Sequence, residues 1–437
     1  MARGKKRAKE LTPEEKLTQA LVPIEEQPYK IPENWYYVPQ RIICKLSNGE
    51  KMEGKEYPYL EVKYLRGKKK ADILTKGKYI KESTKVILVD GENSGEVFTV
   101  VEDGYMGSTF KALDISSVVN QDYLLYFIAT KKELYRNNKK GSAIPHLNKE
   151  LFFSMPFPLA PLAEQVRIVD RIESIFAKLD EAKEKAQEVV DGFELRKSAI
   201  LHKAFTGELT KKWREEQGVT LESWKEGSID AICNSLKYGT AKKSKKEGTV
   251  VVIRMGNLQQ GEIDWSDLAY SDDQDDIEKY QLDNGDVLFN RTNSAALVGK
   301  TSIYRGEYPA IYAGYLIKLD YNHDIITGDF LNYALNTNNA KEYCNLVKTD
   351  GVNQSNINAK KIGAYVIPIP SIREQEEVVR IVKKLIVKEK QAKEVAQAAV
   401  DQIDVMKKAV LARAFRGELG TNDPKEESAV ELLKSIL

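Results

Sequence analysis

The feature that most constrains this chain of 437 residues is that it holds one long segment twice. Glu164-Gln165, in PLAPLAEQVRIV, recurs as Glu374-Gln375, in PIPSIREQEEVV, 210 positions further on. The same offset carries Phe205, Gly207, Glu208 and Leu209 of KAFTGEL onto Phe415, Gly417, Glu418 and Leu419 of RAFRGEL, so no gap intervenes. Self-similarity at one fixed offset dictates that an architecture is used twice.

Each copy opens with prolines, Pro158 and Pro161 or Pro368 and Pro370, which keep the chain out of a helix. More than thirty residues without proline follow in each. In the first, apolar residues recur every seven positions at Ile172, Leu179, Ala186, Phe193 and Ile200, with a second row three further on at Ile175, Ala182 and Val189. In the second, Val382, Ala396, Ile403 and Val410 recur, flanked by Leu385, Ala392, Ala399 and Met406, and Glu389 interrupts the seam. This periodicity predicts two long helices with a coiled-coil seam. Gly207 and Gly417 stand where each helix would stop. The matched seams predict that the helices pair antiparallel within one chain.

The length suffices for two or three domains. A net charge of +2 settles no partner, and 30% charged residues suit long solvated helices. No apolar run reaches membrane length, and the basic start MARGKKRAKE lacks the apolar stretch of a signal peptide. Cys44, Cys233 and Cys344 are odd in number and widely spaced. That argues against a disulfide framework or a zinc site and fits a reducing, cytoplasmic setting.

The expected order is an N-terminal arm at 1–31, a first globular module at 32–157, a helical spacer at 158–209, a linker at 210–220, a second module at 221–367, a second spacer at 368–420 and a short C-terminal helix at 421–437. Short β-rich runs such as YPYLEVKYL and TVVVIRMGNL dominate the modules, with one helix expected in DYLLYFIATKKEL and another in FLNYALN. The arm echoes the linker. Glu10-Leu11-Thr12 precedes Trp35 and Cys44 as Glu208-Leu209-Thr210 precedes Trp224 and Cys233, and each Cys lies nine after its Trp. Each half reads as linker, module, helix, a duplication with a circular order. Before each long helix stands a matched patch, GSAIPHLNKEL at Gly141–Leu151 and GVNQSNINAKK at Gly351–Lys361.

Catalytic constellations are missing. GKTS at Gly299–Ser302 has Ser294 where a phosphate loop needs an earlier glycine, and it reads as a strand. His146, His202 and His323 are scattered, and no Cys–His grouping has metal-ligand spacing. No Asn-Pro-Pro-aromatic run or dinucleotide fingerprint occurs. No catalytic residue, metal or cofactor is therefore expected. Basic clusters point instead to nucleic acid: Arg66, Lys68, Lys69 and Lys70 in KYLRGKKKAD, then Lys139 and Lys140, and in the second module Lys237, Tyr238, Lys242 and Lys243 in KYGTAKKSKK. Such residues suit phosphate contacts. Arg254, Asn257, Arg291, Asn293, Asn353, Gln354 and Asn356 fall at strand ends or loops, and their types read base edges. Each also has a plainer reading, since lysine runs are commonly solvated loops and Asn commonly builds turns.

The EQ-led helix closing on FxGEL, after a proline-rich strand end and GVNQSNIN, resembles the specificity subunit of type I restriction-modification enzymes. YGTAKKSKK, VIRMGNL, GDVLFNRTNS and LVGK extend the resemblance over nearly the whole chain. It implies an α+β fold: two globular α/β target-recognition domains separated by two long antiparallel coiled-coil helices, with a pseudo-twofold internal duplication. It also implies double-stranded DNA with a split target as ligand, two methyltransferase (M) subunits as partners, and restriction (R) subunits reached through the complex. Methylation and ATP-driven cleavage would belong to those separate subunits. By matching position, Tyr238-Gly239-Thr240, Arg291-Thr292-Asn293 and Asn353-Gln354 fall in a recognition domain. The first module departs, with AIPHLN in place of VNQSNIN and DGENSG at Asp90–Gly95 in place of NRTNS, so the halves are expected to read different sequences. The alternative is a duplicated coiled-coil scaffold or adaptor that binds no DNA.

Overall fold

Each module is tied shut by a pair of antiparallel strands, the second of which holds Pro158 or Pro368 just before the long helix. Tyr36–Pro39 pairs with Pro156–Leu159, and Lys225–Ser228 pairs with Val366–Ile369. The computed structural model describes residues 12–141 and 145–437. The basic start, Glu10-Leu11 of the arm's echo and residues 142–144 of the GSAIPHLN patch lie outside them. The chain divides into two units, Met1–Lys185 with Ala399–Leu437, and Ala186–Ala398. It passes from one to the other within Leu162–Asp191 and returns within Ile372–Ala414.

In the first unit a four-stranded sheet runs in the order Cys44–Ser47, Phe110–Ile115, Lys85–Leu88, Val97–Thr99. In the second unit the corresponding order is Cys233–Tyr238, Leu316–Tyr321, Val287–Asn290, Thr301–Ile303, extended by two short strands. GKTS thus contributes a strand, as its sequence predicts. DYLLYFIATKKEL forms two helices rather than one, Gln121–Thr130 and Lys132–Asn137. Helices Gly328–Leu335 and Asn338–Val347 follow the second sheet in the same way.

The repeated Glu-Gln pair is buried at the head of each long helix. Gln165 donates to the carbonyls of Val118 and Ala160 and accepts from the Asn120 N–H. Gln375 donates to Ile325 and Pro370 and accepts from Thr327. Each glutamine thereby fastens a loop of its module to the turn that starts the helix. Glu164 accepts the Trp35 indole N–H at 2.7 Å, and Glu374 that of Trp224 at 2.9 Å. This explains why a Trp recurs in each half. The phenylalanines of FxGEL close the same cores. Phe415 packs on Tyr123 and Phe127 in the first unit, and Phe205 packs on Phe330 in the second.

The helical segments run antiparallel within each unit. In the first, Lys183 bonds Asp404 at 2.7 Å while Lys407 reaches back to Asp180. In the second, Arg196 bonds Glu389 at 2.5 Å while Lys393 lies over the Phe193 ring. The predicted seam residues Ile172, Phe193, Val382, Ala396 and Ile403 are buried, and Leu179, Ala186, Ile200, Leu385 and Val410 are half-buried.

The second row agrees with expectation only in part. Ile175, Val189 and Leu385 are half-buried, but Ala182, Ala392, Ala399 and Met406 are exposed, and the more continuous inner row lies four positions on, at Phe176, Lys183, Val190, Lys197 and Ala204, and at Ile386, Lys393, Val400, Lys407 and Ala414. A heptad offers both a three- and a four-residue step, and the four-residue step wins here because lysine stems can lie along the seam while their ammonium groups reach carboxylates or ring faces. The first helix also differs from the second in having a break. Leu162–Asp191 and Phe193–Phe205 are separated at Gly192, where the Arg196 guanidinium crosses to the Val189 carbonyl at 2.7 Å.

Candidate nucleic-acid interface

In the second module the strand Val287–Asn290 leaves its sheet and pairs again at once. Thr292–Asn293 lies against Ser355–Asn356, which lies against Thr349–Asp350. The Asn356 amide donates to the Thr292 hydroxyl at 2.7 Å. At the tip between the last two strands, Val352 is 100% exposed, and Asn353 and Gln354 are exposed beside it. A fully solvated valine followed by two exposed amides is an arrangement suited to contacting base edges and a thymine methyl.

Behind this tip the Tyr238-Gly239-Thr240 loop is braced. A Cβ at Gly239 would lie 2.2 Å from the Tyr312 carbonyl oxygen, so only glycine fits. The Tyr238 hydroxyl accepts from the Ala359 N–H, and its ring carries the Arg291 guanidinium at 4.7 Å. Arg291 also donates to the Gly314 carbonyl. Cation–π stacking plus a backbone bond fixes the guanidinium plane. Thr240 donates to Asp276, tying the loop down.

The lysines sort by their neighbours. Lys242 bonds Asp273 at 2.7 Å, which raises its pKa and lowers that of Asp273. Lys237 bonds Asp320 and Lys245 bonds Asp272. Among the described residues Lys243 and Lys246 have no ion-pair partner. In the first module Arg66 pairs with Glu96, Lys69 with both Asp72 and Glu61, Lys139 with Glu92 and Lys140 with Glu150. Lys68 and Lys70 have no ion-pair partner among the described residues. Two expected base readers are occupied. Asn257 is buried, donating to the carbonyls of Asp264 and Asp267 and accepting from the Arg254 N–H. The Arg254 guanidinium is held by Asp267. Both build a loop, and the turn reading of Asn applies at Asn257. Asn293 accepts from the Ser294 N–H beside the Thr292–Asn356 pair.

A further basic group was invisible in the sequence. Lys111 and Lys78, from separate strands, both donate to Asn48, and burial with the charges of Lys78 and Lys149 lowers the Lys111 pKa. No run or spacing announces these lysines, because three distant segments bring them together. Among the described residues no group of His, Cys, Asp and Glu is arranged to hold a metal, and no helix is long and apolar enough to cross a membrane.

Residues 32–190 and 222–397 match the family described as "Type I restriction modification DNA specificity domain". The chain belongs to that family. Its two matched stretches set aside the scaffold that binds no DNA, and each takes in one module and much of the long helix after it. The chain is a DNA-recognition subunit of the type I restriction-modification class, with two target-recognition domains. The EcoKI specificity subunit of Escherichia coli K12 is 26% identical, over 93% of this chain and 96% of its own length. The StySPI subunit of Salmonella potsdam is 25% identical, over 89% and 90%. The HsdS subunit from Thermoanaerobacter tengcongensis superposes with a TM-score of 0.60 at 17% identity, covering 90% of this chain and 100% of that one. A chain from a structure described as the basis of complex assembly and conformational transition of the type I R-M system reaches 0.68 at 16%, with the same coverage. These two likenesses show the fold.

Proposed function

We propose that this specificity subunit reads a split DNA target, one half-site through each module, and that its long helices set the gap between half-sites. The observation that carries this reading is that in both units the chain leaving the same sheet strand, Lys85–Leu88 or Val287–Asn290, pairs at once with the patch that precedes the long helix, Asp90 with His146 and Thr292 with Asn356. Lys68, Lys70, Lys243 and Lys246 supply phosphate contacts. Arg291, Asn293, Asn353 and Gln354 supply base contacts in the second half-site. The subunit catalyses nothing itself. Two methyltransferase subunits dock on the outward rows of the helices, where Leu195, Val387, Val395, Val405 and Met406 are exposed. Restriction subunits join through them. A net charge of +2 gives the isolated chain weak binding that falls steeply with salt.

The test removes one heptad from each helix, residues 182–188 and 392–398, keeping the seam in phase. Each segment shortens by ~10.5 Å at 1.5 Å per residue, or ~3 base pairs at ~3.4 Å each. Methylated bases mapped genome-wide, in cells holding the shortened subunit and its methyltransferase, should show the same half-sites with a smaller gap. An unchanged gap, or new half-sites at the old gap, would refute the reading.

A further inference from the structure

We propose that the paired side chains of Asp90 and His146 read bases in the first half-site, at the position that Thr292 and Asn356 hold in the second module. The inference rests on the split-target reading and names the reader that the first module's sequence conceals. The backbone establishes the equivalence. Val89 donates its N–H to the Thr109 carbonyl and accepts from the Leu147 N–H; Arg291 donates to Tyr315 and accepts from Ile357. One residue on in each module, Asp90 bridges His146 and Thr292 pairs with Asn356, both antiparallel. Two residues beyond the second partner, Asn148 and Asn358 each cap the following short helix. The side chains meet in both places, His146 Nδ1 to Asp90 Oδ1 at 2.6 Å and Asn356 Nδ2 to Thr292 Oγ1 at 2.7 Å.

The first pair has the surroundings a reader needs. The His146 side chain is 52% exposed. With Nδ1 engaged by the carboxylate, Nε2 is the ring atom left to meet a base edge, and Asp90 fixes the ring's orientation. The group of Lys78, Lys111 and Lys149 borders Asp90, whose charge acts on Lys111. Lys139 and Lys140 lie on the strand-like stretch that pairs with His146. Positive charge from Lys78, Lys111 and Lys149 therefore borders the pair though no lysine run encodes that group, while Lys139 and Lys140 are held by Glu92 and Glu150. The two pairs differ in chemistry, carboxylate with imidazole against hydroxyl with amide. That difference is how two copies of one scaffold come to read different bases.

The test transplants one pair onto the other module. The full-length subunit carrying Asp90→Thr with His146→Asn is assembled with its methyltransferase, and methylated sites are mapped. Base preference at one or two positions of the first half-site should change by about tenfold or more, with the second half-site and the gap unchanged. The reciprocal variant, Thr292→Asp with Asn356→His, should alter the second half-site alone. If the parent shows two half-sites and the first variant shows the same two, this inference fails while the split-target reading stands. If the parent shows no split motif, the split-target reading fails first. Loss of methylation at all sites by a variant that melts like the parent would also overturn the proposal, since it would make the pair a structural support rather than a reader.

Discussion

The buried carboxylate at the head of each long helix does one job in the two units with different means. In the second unit Glu374 accepts from Arg214 at 2.7 Å, from Thr210 at 2.7 Å and from Trp224 at 2.9 Å. These three donors come from one continuous stretch. In the first unit Glu164 accepts from Trp35 at the start of the first module, and from Asn422 at 2.8 Å and Thr421 at 3.3 Å of the C-terminal tail. Here the same joint is assembled from the two ends of the chain, and Arg167 clamps the tail through Glu426. The comparison teaches that the joint needs donors in fixed places, not a particular covalent path. It also gives the circular order read from the sequence a physical content, since the entry to the first module plus the tail in one unit replaces the stretch from Thr210 to Trp224 in the other.

The largest effect that would break this comparison is on stability. Arg214 and Glu374 are 8% and 1% exposed, so Glu374→Ala leaves a guanidinium buried without its partner and should cost ~3–5 kcal/mol. Glu164→Ala leaves only neutral donors behind and should cost ~1–3 kcal/mol. Urea unfolding followed by tryptophan emission compares them, because Trp35 and Trp224 each sit on one carboxylate. Equal losses would mean that the charge on Arg214 is irrelevant and that the two joints are energetically the same.

Next in size is DNA binding, where the comparison is between lysines within one run. Lys243 and Lys246 have no ion-pair partner among the described residues, whereas Lys242 is shared between Asp273 and Asp276. Lys243→Ala with Lys246→Ala should lower the slope of log affinity against log salt by ~2, at ~0.9 per phosphate contact. Lys242→Ala should change it by less than one such step, because breaking its ion pair costs the free protein part of what the DNA would gain. Fluorescence anisotropy across a salt series, with the methyltransferase subunits present, measures both. A larger change from Lys242→Ala would reverse the assignment.

How much of this was legible in the sequence depends on whether the signal was local. The repeat, the helices, their seam and the family were readable because Glu164-Gln165, FxGEL and the heptads are contiguous patterns. The site was only partly readable. Lysine runs show where charge is dense but not which ammonium groups carboxylates already hold, so Lys69, Lys139 and Lys242 looked like Lys68 and Lys243. Asn257 looked like a base reader because its partners, the carbonyls of Asp264 and Asp267, are backbone groups with no signature. Asp90 and His146 lie 56 positions apart and meet only through strand pairing. The second helical row was misplaced at Ala182, Ala392, Ala399 and Met406 because the heptad permits both steps, and the lysines that settle the matter look polar in sequence.

The smallest effect sharpens the comparison of the helices themselves. Gly192 interrupts the first, while its counterpart at the 210 offset, Gln402, lies inside the unbroken Ile372–Ala414. Glycine inside a helix costs ~1 kcal/mol relative to alanine, so Gly192→Ala should stabilise if propensity were all that mattered. A Cβ there would lie 2.4 Å from Arg196 Nη1 and 3.0 Å from the Glu188 carbonyl oxygen. Arg196 would have to withdraw from the Val189 carbonyl and from Glu389, an ion pair whose side chains are 36% and 27% exposed and which contributes ~0–1 kcal/mol. The gain and the loss oppose each other, and Gly192→Ala should leave stability within ~1 kcal/mol of the parent. Once Arg196→Ala has removed the guanidinium, adding Gly192→Ala should recover the full ~1 kcal/mol. Gln402→Gly, with no guanidinium to accommodate, should simply lose a similar amount. A double-variant cycle in thermal unfolding reads the coupling. If Gly192→Ala stabilises the parent as much as it stabilises the Arg196→Ala background, Arg196 does not confine the glycine, and the break in the first helix has some other cause.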